Sequence, residues 1–244
     1  MTRRLLEAAG IRPGMRVLDV GCGLGKVAAL VADLVGDAGQ VVGLDRDAGV
    51  LAMARARAAE LGLDRVSFVE GDLDGALDLE PFDAAVGRRV LMYLPDPVGA
   101  LRRLAAIVRP GGPIAFHELD STMIPASRVA LPLHERAHGW IWKTLEREGA
   151  NLHMGFDLAS VFAEAGLVVG GVHAEARVQT PATRSEIGPV LRYLIPRLER
   201  QGVATAAELD VDTIDERLDE ERRQANATYV GEVMFGGWAR SPTT

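Results

Sequence analysis

Glycines at alternate positions near the start of the chain could hold a ligand against the main chain. Residues 17–20 read as a short apolar strand that runs directly into Gly21, Gly23 and Gly25, and residues 26–35 then show helical periodicity. Glycine accepts backbone angles that a Cβ forbids and lets a ligand lie directly on the backbone. The amides that begin the next helix point at the same place. The segment therefore predicts a ligand-binding turn between a strand and a helix.

Three acids stand at or near the ends of the first three predicted strands. Asp19 lies in the first, Asp45 ends the second at residues 40–45, and Asp72 ends the third at residues 66–72. In an open α/β sheet, ligands bind beyond the carboxyl ends of the strands. Each acid taken singly could instead be a helix N-cap. Because all three occur in step with the glycine turn, they favour one shared site.

The remaining elements must position these groups. Strand-like and helix-like segments alternate through residues 12–120, which is typical of a parallel sheet covered by helices on both faces. The predicted fold class is α/β, a Rossmann-like doubly wound sheet of about seven strands, mostly parallel, with an antiparallel last strand at residues 229–239. Residues 1–244 are expected to form one domain with helical insertions at 121–155 and 185–226.

Composition narrows the classes of partner. The net charge is −7, which argues against nucleic acid or an anionic membrane surface as the main partner. A single cysteine, Cys22, excludes an internal disulfide and suits a reducing compartment. We see no signal peptide and no apolar run near the roughly 20 residues of a membrane span. A cytoplasmic location is therefore expected.

The motifs resemble those of the class I S-adenosylmethionine (SAM)-dependent methyltransferases, including small-molecule enzymes of quinone and natural-product biosynthesis. The resemblance spans roughly residues 12–120, with a weaker tail to residue 240. It rests on residues 18–25, 43–45, 70–72, 90–97 and 104–112. Lys26 stands where the dinucleotide fingerprint would have its third glycine, which disfavours an NAD-dependent oxidoreductase.

The resemblance implies a role for each polar group. Asp45 would accept the ribose hydroxyls, and Asp72 would accept the adenine amine beside the backbone of Leu73. Asp19 would organise the glycine turn and the methionyl end. Arg88 would pair with the methionyl carboxylate, with a surface ion pair as the alternative. The expected cofactor-binding residues are Asp19, Gly21, Cys22, Gly23, Gly25, Asp45, Arg46, Gly71, Asp72, Leu73, Gly87 and Arg88.

The implied reaction is methyl transfer from S-adenosyl-L-methionine to a small molecule, leaving S-adenosyl-L-homocysteine. Residues 12–120 would bind the cofactor, and the two insertions would cap the substrate. The reaction is an in-line displacement, and an oxygen acceptor, slightly favoured over nitrogen or carbon, also needs a base. The candidates are His117, Glu118, His134 and His138, with His153 beyond them. Packing is the alternative role for each histidine.

Three points stay open. His117 and Glu118 face opposite sides of a strand, so at most one points into the site. A SAM-binding protein that transfers no methyl group, such as a sensor or a repurposed cyclase, would have the same cofactor site. Only about a dozen residues precede the first strand, fewer than is usual in the family, so the lid over the cofactor is either incomplete or completed by the insertion at 185–226 or by a second subunit of a homodimer.

Two other activities are disfavoured. Residues 134–138 fit the zinc-protease motif H-E-x-x-H, but no third-ligand pattern accompanies them, so no metal site is expected. The Asn/Asp-Pro-Pro-Tyr type of motif used by amino-methylating DNA enzymes is absent after the fourth predicted strand. A nucleic-acid methyltransferase is therefore not expected.

Overall fold

A computed structural model describes residues 1–75 and 79–243. In this part of the chain one sheet has eight strands in the order β3-β2-β1-β4-β5-β8-β6, and β7 also pairs with β8. Strands β1 to β5 are parallel, whereas β8 runs antiparallel to β6. The strands are β1 (Arg16–Val20), β2 (Gln40–Asp45), β3 (Val66–Glu70), β4 (Ala84–Arg88), β5 (Pro113–Leu119), β6 (Ala126–Ser127), β7 (Val168–Gln179) and β8 (Tyr229–Arg240). The predicted doubly wound α/β fold is confirmed.

Helices fill most of the intervals between the strands. A short 3₁₀ turn, Leu91–Tyr93, follows β4. The α-helices are α1 (Thr2–Ala9), α2 (Lys26–Val35), α3 (Ala48–Glu60), α4 (Pro97–Ile107), α5 (Pro132–Arg147), α6 (Met154–Glu164), α7 (Ile187–Arg200), α8 (Ala206–Leu209) and α9 (Ile214–Gln224). None of the helices in the described ranges combines the length and apolarity needed to span a bilayer.

Local signals explain where several helices begin and end. The carboxylate of Asp47 accepts from the amides of Gly49 and Val50 and caps α3, which satisfies amides that have no partner within the helix. The carboxylate of Asp96 caps α4 in the same way. Helix α1 ends at Gly10, whose φ of 89° is the left-handed conformation that stops a helix.

The central strands are buried along nearly their whole length. In β1 the last four residues are buried, and every residue of β5 is buried. Parallel strands that are covered on both faces read as continuous apolar runs and not as alternating ones. The core cluster joins Val17, Val41 and Val86 of the sheet to the apolar faces of α1 and α2. This core fixes the position of the carboxyl ends of β1, β2 and β4.

The chain divides into two compact units. The first comprises Met1–Glu118, Met154–Ala174 and Phe235–Thr244, and the second comprises Leu119–His153 and Glu175–Met234. In the second unit, α5, α7 and α9 pack against one another. Nearly all of the two predicted insertions lies in this second unit, and their role as a substrate cap stays a prediction.

Candidate functional site

The glycine turn after β1 has the backbone geometry that only glycine adopts easily. Gly21, Gly23 and Gly25 have φ values of 59°, 51° and 71°, all in the left-handed region. A Cβ added to Gly21 would lie 2.6 Å from Cγ2 of Val90, and one added to Gly25 would lie 3.1 Å from the ring of Phe68. At Gly23 a Cβ would meet nothing within 4 Å. A side chain at position 21 would clash with Val90, one at position 25 would be tight against Phe68, and Gly23 presents open backbone.

Asp45 ties the end of β2 to this turn. Its Oδ2 accepts from the backbone N–H of Gly23 at 2.9 Å, and its Oδ1 accepts from the N–H of Asp47 at 3.1 Å. The backbone N–H of Cys22 donates to the carbonyl of Leu44 at 3.0 Å. The half-buried carboxylate therefore lies on the open part of the turn, where it can accept further hydrogen bonds.

Asp19 is a buried acid that the fold alone does not explain. It is 1% exposed, and its Oδ2 has no hydrogen-bond partner within the described ranges. Burial, with a smaller contribution from the charge of Asp45, raises the pKa of this carboxyl to about 8, although the amide of Ala28 opposes the shift. Unpaired buried polar atoms are rare and point to strain, an unseen ligand or a catalytic role.

The end of β3 supplies a second polar rim. The N–H of Gly71 donates to the carbonyl of Asp45 at 3.0 Å. Asp72 is exposed, and its Oδ1 accepts from the N–H of Asp74. Leu73 is buried, and its carbonyl accepts from Nε of Arg103 at 2.7 Å. This places one outward carboxylate beside a buried apolar residue.

The Cys22 thiol and the residues around β4 have simpler roles. Burial raises the pKa of Cys22 to about 12, so this buried thiol is not a nucleophile near neutral pH. A Cβ on Gly87 would lie 2.4 Å from the ring of Phe116, so packing alone demands glycine there. Arg46 and Arg88 are both exposed. All twelve expected cofactor residues lie in the first unit.

Two candidate bases, His117 and Glu118, lie on β5 in the first unit. His117 Nδ1 lies 3.0 Å from Oγ1 of Thr2, and burial lowers the pKa of this histidine to about 3, with the charges of nearby arginines adding to the shift. Glu118 faces the other way, and its Oε1 accepts from the backbone N–H groups of Val90 and Leu91. Burial raises the pKa of Glu118 to about 7 although those amides oppose it.

The other two candidates, His134 and His138, lie on α5 in the second unit. His134 Nδ1 lies 2.7 Å from Oε2 of Glu221, and its Nε2 lies 3.3 Å from Nη1 of Arg222. Burial lowers the pKa of His134. His138 packs against Trp142 and Tyr229. Among the described residues no three potential ligands come together as a metal site, and the guanidinium of Arg222 faces the nitrogen that a metal would need.

One pairing in the second unit was not singled out from the sequence. His153 Nδ1 lies 3.0 Å from Oγ1 of Thr122 and 3.7 Å from Oδ1 of Asp120. Asp120 is 2% exposed, whereas the side chain of His153 is 63% exposed. These contacts orient an exposed imidazole through Nδ1. The sequence did contain a signal for Asp120, because this acid directly follows β5 just as Asp45 ends β2 and Asp72 follows β3.

Comparison with known proteins agrees with this geometry. The model of a family described as "Methyltransferase domain" matches residues 11–166. Over 117 residues the chain is 40% identical to aklanonic acid methyltransferase DauC of Streptomyces sp. (strain C5). This alignment covers 48% of this chain and 53% of that protein. Nocamycin O-methyltransferase of Saccharothrix syringae is 39% identical over 117 residues, 48% of this chain and 42% of that protein.

These matches assign the chain to a family and not to one particular enzyme. The chain spans about half the length of the curated relatives it matches. The crystal structure of the [4+2]-cyclase SpnF superposes on this chain with a TM-score of 0.61 and 23% sequence identity. The match covers 100% of this chain and 80% of SpnF, and it shows a similar fold. Since the family model covers more than half of the chain and the glycine turn and acids lie as described, the chain belongs to the methyltransferase-domain family, within the class I SAM-dependent methyltransferases.

Proposed function

We propose that this protein transfers the methyl group of SAM to a small-molecule acceptor, with oxygen favoured as the acceptor atom. The observation that carries the proposal is the hydrogen bond between the open Gly23 backbone and the Asp45 carboxylate at the end of β2. The names of two relatives, an aklanonic acid methyltransferase and a nocamycin O-methyltransferase, support a small organic acceptor. Only the second name specifies oxygen.

The residues present fit an adenosyl sulfonium ligand. Gly23 leaves room over its backbone, and Oδ2 of Asp19, in β1 two residues before Gly21, has no hydrogen-bond partner among the described residues. Asp45 would accept the ribose hydroxyls, Asp72 would accept the adenine amine, and Arg88 would bind the carboxylate of the amino-acid end. When bound, SAM supplies an electrophilic methyl group that needs no further activation.

The protein's own task is to hold the acceptor in line, exclude water and remove a proton. His117 is poorly suited to accept that proton because it is buried, its Nδ1 faces Thr2, and its pKa is lowered to about 3. We propose as the acceptor class a hydroxyl that is acidic enough to ionise readily, such as a phenol or an enol, because such a group does not depend on a strong base. The choice of acceptor, a role of the second unit in it, a homodimer and a cytoplasmic location remain proposals.

Calorimetric titration with SAM and with S-adenosyl-L-homocysteine tests the cofactor assignment. We expect the wild type to bind both, and we expect Asp45→Asn to bind at least about tenfold more weakly because a charged acceptor is lost. Asp37→Asn is the matched control, since Asp37 precedes β2 and pairs with Arg65 at the amino-terminal ends of the strands, away from the glycine turn. A wild-type protein that binds neither compound would refute the proposal.

A SAM-binding cyclase or sensor is the competing function, because the cyclase SpnF has the same fold. The two are separated by incubating the protein with methyl-labelled SAM and a panel of phenols, enols and carboxylic acids. Label that moves to an acceptor, together with formation of S-adenosyl-L-homocysteine, supports methyl transfer. Tight SAM binding with no transfer to any acceptor in the panel favours the sensor or cyclase.

A further inference from the structure

Glu118 lies at the carboxyl end of β5 and is fully buried, with an exposure of 0%. Its Oε1 accepts from the N–H of Val90 at 2.9 Å and from the N–H of Leu91 at 3.0 Å. These amides begin the 3₁₀ turn Leu91–Tyr93, which has no side-chain cap of its own. A carboxylate from the neighbouring strand thus satisfies amides that would otherwise be unpaired in the interior.

The segment held by Glu118 supports the glycine turn directly. Val90 packs on Gly21 so closely that a Cβ on Gly21 would lie 2.6 Å from its Cγ2. The preceding residue, Arg89, has a φ of 56° and donates its N–H to the carbonyl of His117. A non-glycine residue in the left-handed region costs free energy and persists only where its surroundings hold it.

We propose that Glu118 is a positioning residue that holds the segment after β4 against the glycine turn, and that it does not act as the general base. This inference rests on the proposed SAM site. Both oxygens are inaccessible to solvent. Oε1 is occupied by the two amides, and Oε2 has no hydrogen-bond partner among the described residues. A base must reach the proton that it removes, whereas a positioning residue needs only an oxygen directed at Val90 and Leu91.

Glutamine separates these two roles. In Glu118→Gln an amide oxygen still accepts from Val90 and Leu91, but the side chain can no longer accept a proton as a carboxylate does. In Glu118→Leu the volume is nearly kept, and both backbone amides lose their partner. We expect Glu118→Gln to bind SAM within about twofold of wild type, and we expect Glu118→Leu to bind about tenfold more weakly.

A matched control removes the contribution of general stability. Asp83 precedes β4 at the opposite edge of the sheet, and its Oδ2 accepts from the N–H of Arg16 at 2.7 Å. Asp83→Leu also leaves a backbone amide without its partner, away from the glycine turn, and it removes the ion pair of Asp83 with Arg109 as well. We expect this variant to lose thermal stability but to bind SAM as the wild type does, at a temperature where all variants are folded.

Each result decides the question. Weak SAM binding by Glu118→Leu, with near-normal binding by Glu118→Gln and Asp83→Leu, supports the positioning role. Equal weakening in the glutamine and leucine variants would overturn it, as would equal weakening in Asp83→Leu or normal binding by Glu118→Leu. If labelled methyl transfer is observed in wild type and abolished in Glu118→Gln with SAM binding intact, Glu118 is the base and the inference is wrong. A wild type that does not bind SAM refutes the proposed function itself.

Discussion

At the scale of single residues, the three glycines of the turn after β1 have different structural roles. Gly21, Gly23 and Gly25 share left-handed backbone angles, yet only Gly23 faces open space. The sequence pattern predicted all three as ligand-contacting residues. It could not separate them, because the distinction depends on Val90 and Phe68, which come from other strands and loops.

Gly23→Ala should therefore impair ligand binding more than folding. We expect a stability loss of about 1–2 kcal/mol from the left-handed backbone, and SAM binding that is at least about tenfold weaker, because the new methyl group occupies the open face. Gly62→Ala is the control, since Gly62 has a φ of 64° and its Cβ would also meet nothing within 4 Å. Thermal unfolding and calorimetry on both variants measure the two effects. Equal SAM affinities in the two variants would contradict the assignment.

Asp19 should give the protein a measurable pH dependence. The pKa of Asp19 in the folded protein, about 8, lies above the ordinary value of 3.8. The contribution of this carboxyl to the free energy of unfolding is therefore fully present below pH 3.8 and is lost as the pH rises through about 8. Within that window the free energy of unfolding should fall by at most about 1.4 kcal/mol per pH unit from this group. Asp19→Asn should remove this slope in urea unfolding measured from pH 5 to pH 9.

The control for that experiment is Asp33→Asn, which replaces a carboxylate paired with Arg3 on the surface, 62% exposed. This variant should keep the slope of the wild type. If Asp19→Asn and wild type lose stability in parallel as the pH rises, the carboxyl of Asp19 is not the group responsible.

At the scale of elements, most bounds followed from local rules. The predicted helix at residues 26–35 and the predicted strand at residues 40–45 are both confirmed, because glycines and an apolar period mark them. Strand β6, Ala126–Ser127, had no pattern to indicate it, since its two residues are strand only through pairing with Tyr229 and Val230 of β8. Helix α5 was predicted, but its partner residues on α9 were not.

The contact between α5 and α9 contains the largest fully buried side chain in the described residues, Arg222. Its guanidinium donates hydrogen bonds to the side chains of Gln179 and Asp219 and to the backbone carbonyl of Thr183, and it lies beside His134. A buried arginine with this many partners is costly to remove, because its acceptors are left unpaired in the interior.

Arg222→Met should lower the free energy of unfolding by about 3–5 kcal/mol. Arg223→Met, one residue along α9, should change it by no more than about 1 kcal/mol, because Arg223 pairs with Glu220 at the surface. Urea unfolding followed by the fluorescence of Trp140 and Trp142 on α5 provides the measurement. Similar losses in both variants would show that burial of Arg222 is not the cause.

The same contact bears on the H-E-x-x-H match. His134 is held between Glu221 and Arg222, so its nitrogens are engaged within the protein. We expect a strong chelator to leave both the thermal unfolding midpoint and SAM binding unchanged. A drop in either value on treatment with chelator, reversed by added zinc, would contradict this prediction.

At the scale of the whole molecule, the sequence by itself determined the alternation of strands and helices through residues 12–120, the turn after β1 and the series of acids at strand ends. These features depend on the period of apolar residues and on backbone angles, which are local properties of the chain. Parallel strands with short connections leave few topologies, so the doubly wound sheet followed from the same pattern.

Only the tertiary structure decided which side chains face open space and which are consumed by packing or by other groups. Glu118 is engaged by the amides of Val90 and Leu91, and His134 is engaged by Glu221, 87 residues away in the chain. Asp120 holds His153 although 33 positions separate them. Hydrogen bonds and burial at these sites join residues distant in sequence, and no local pattern of residue types encodes such partners.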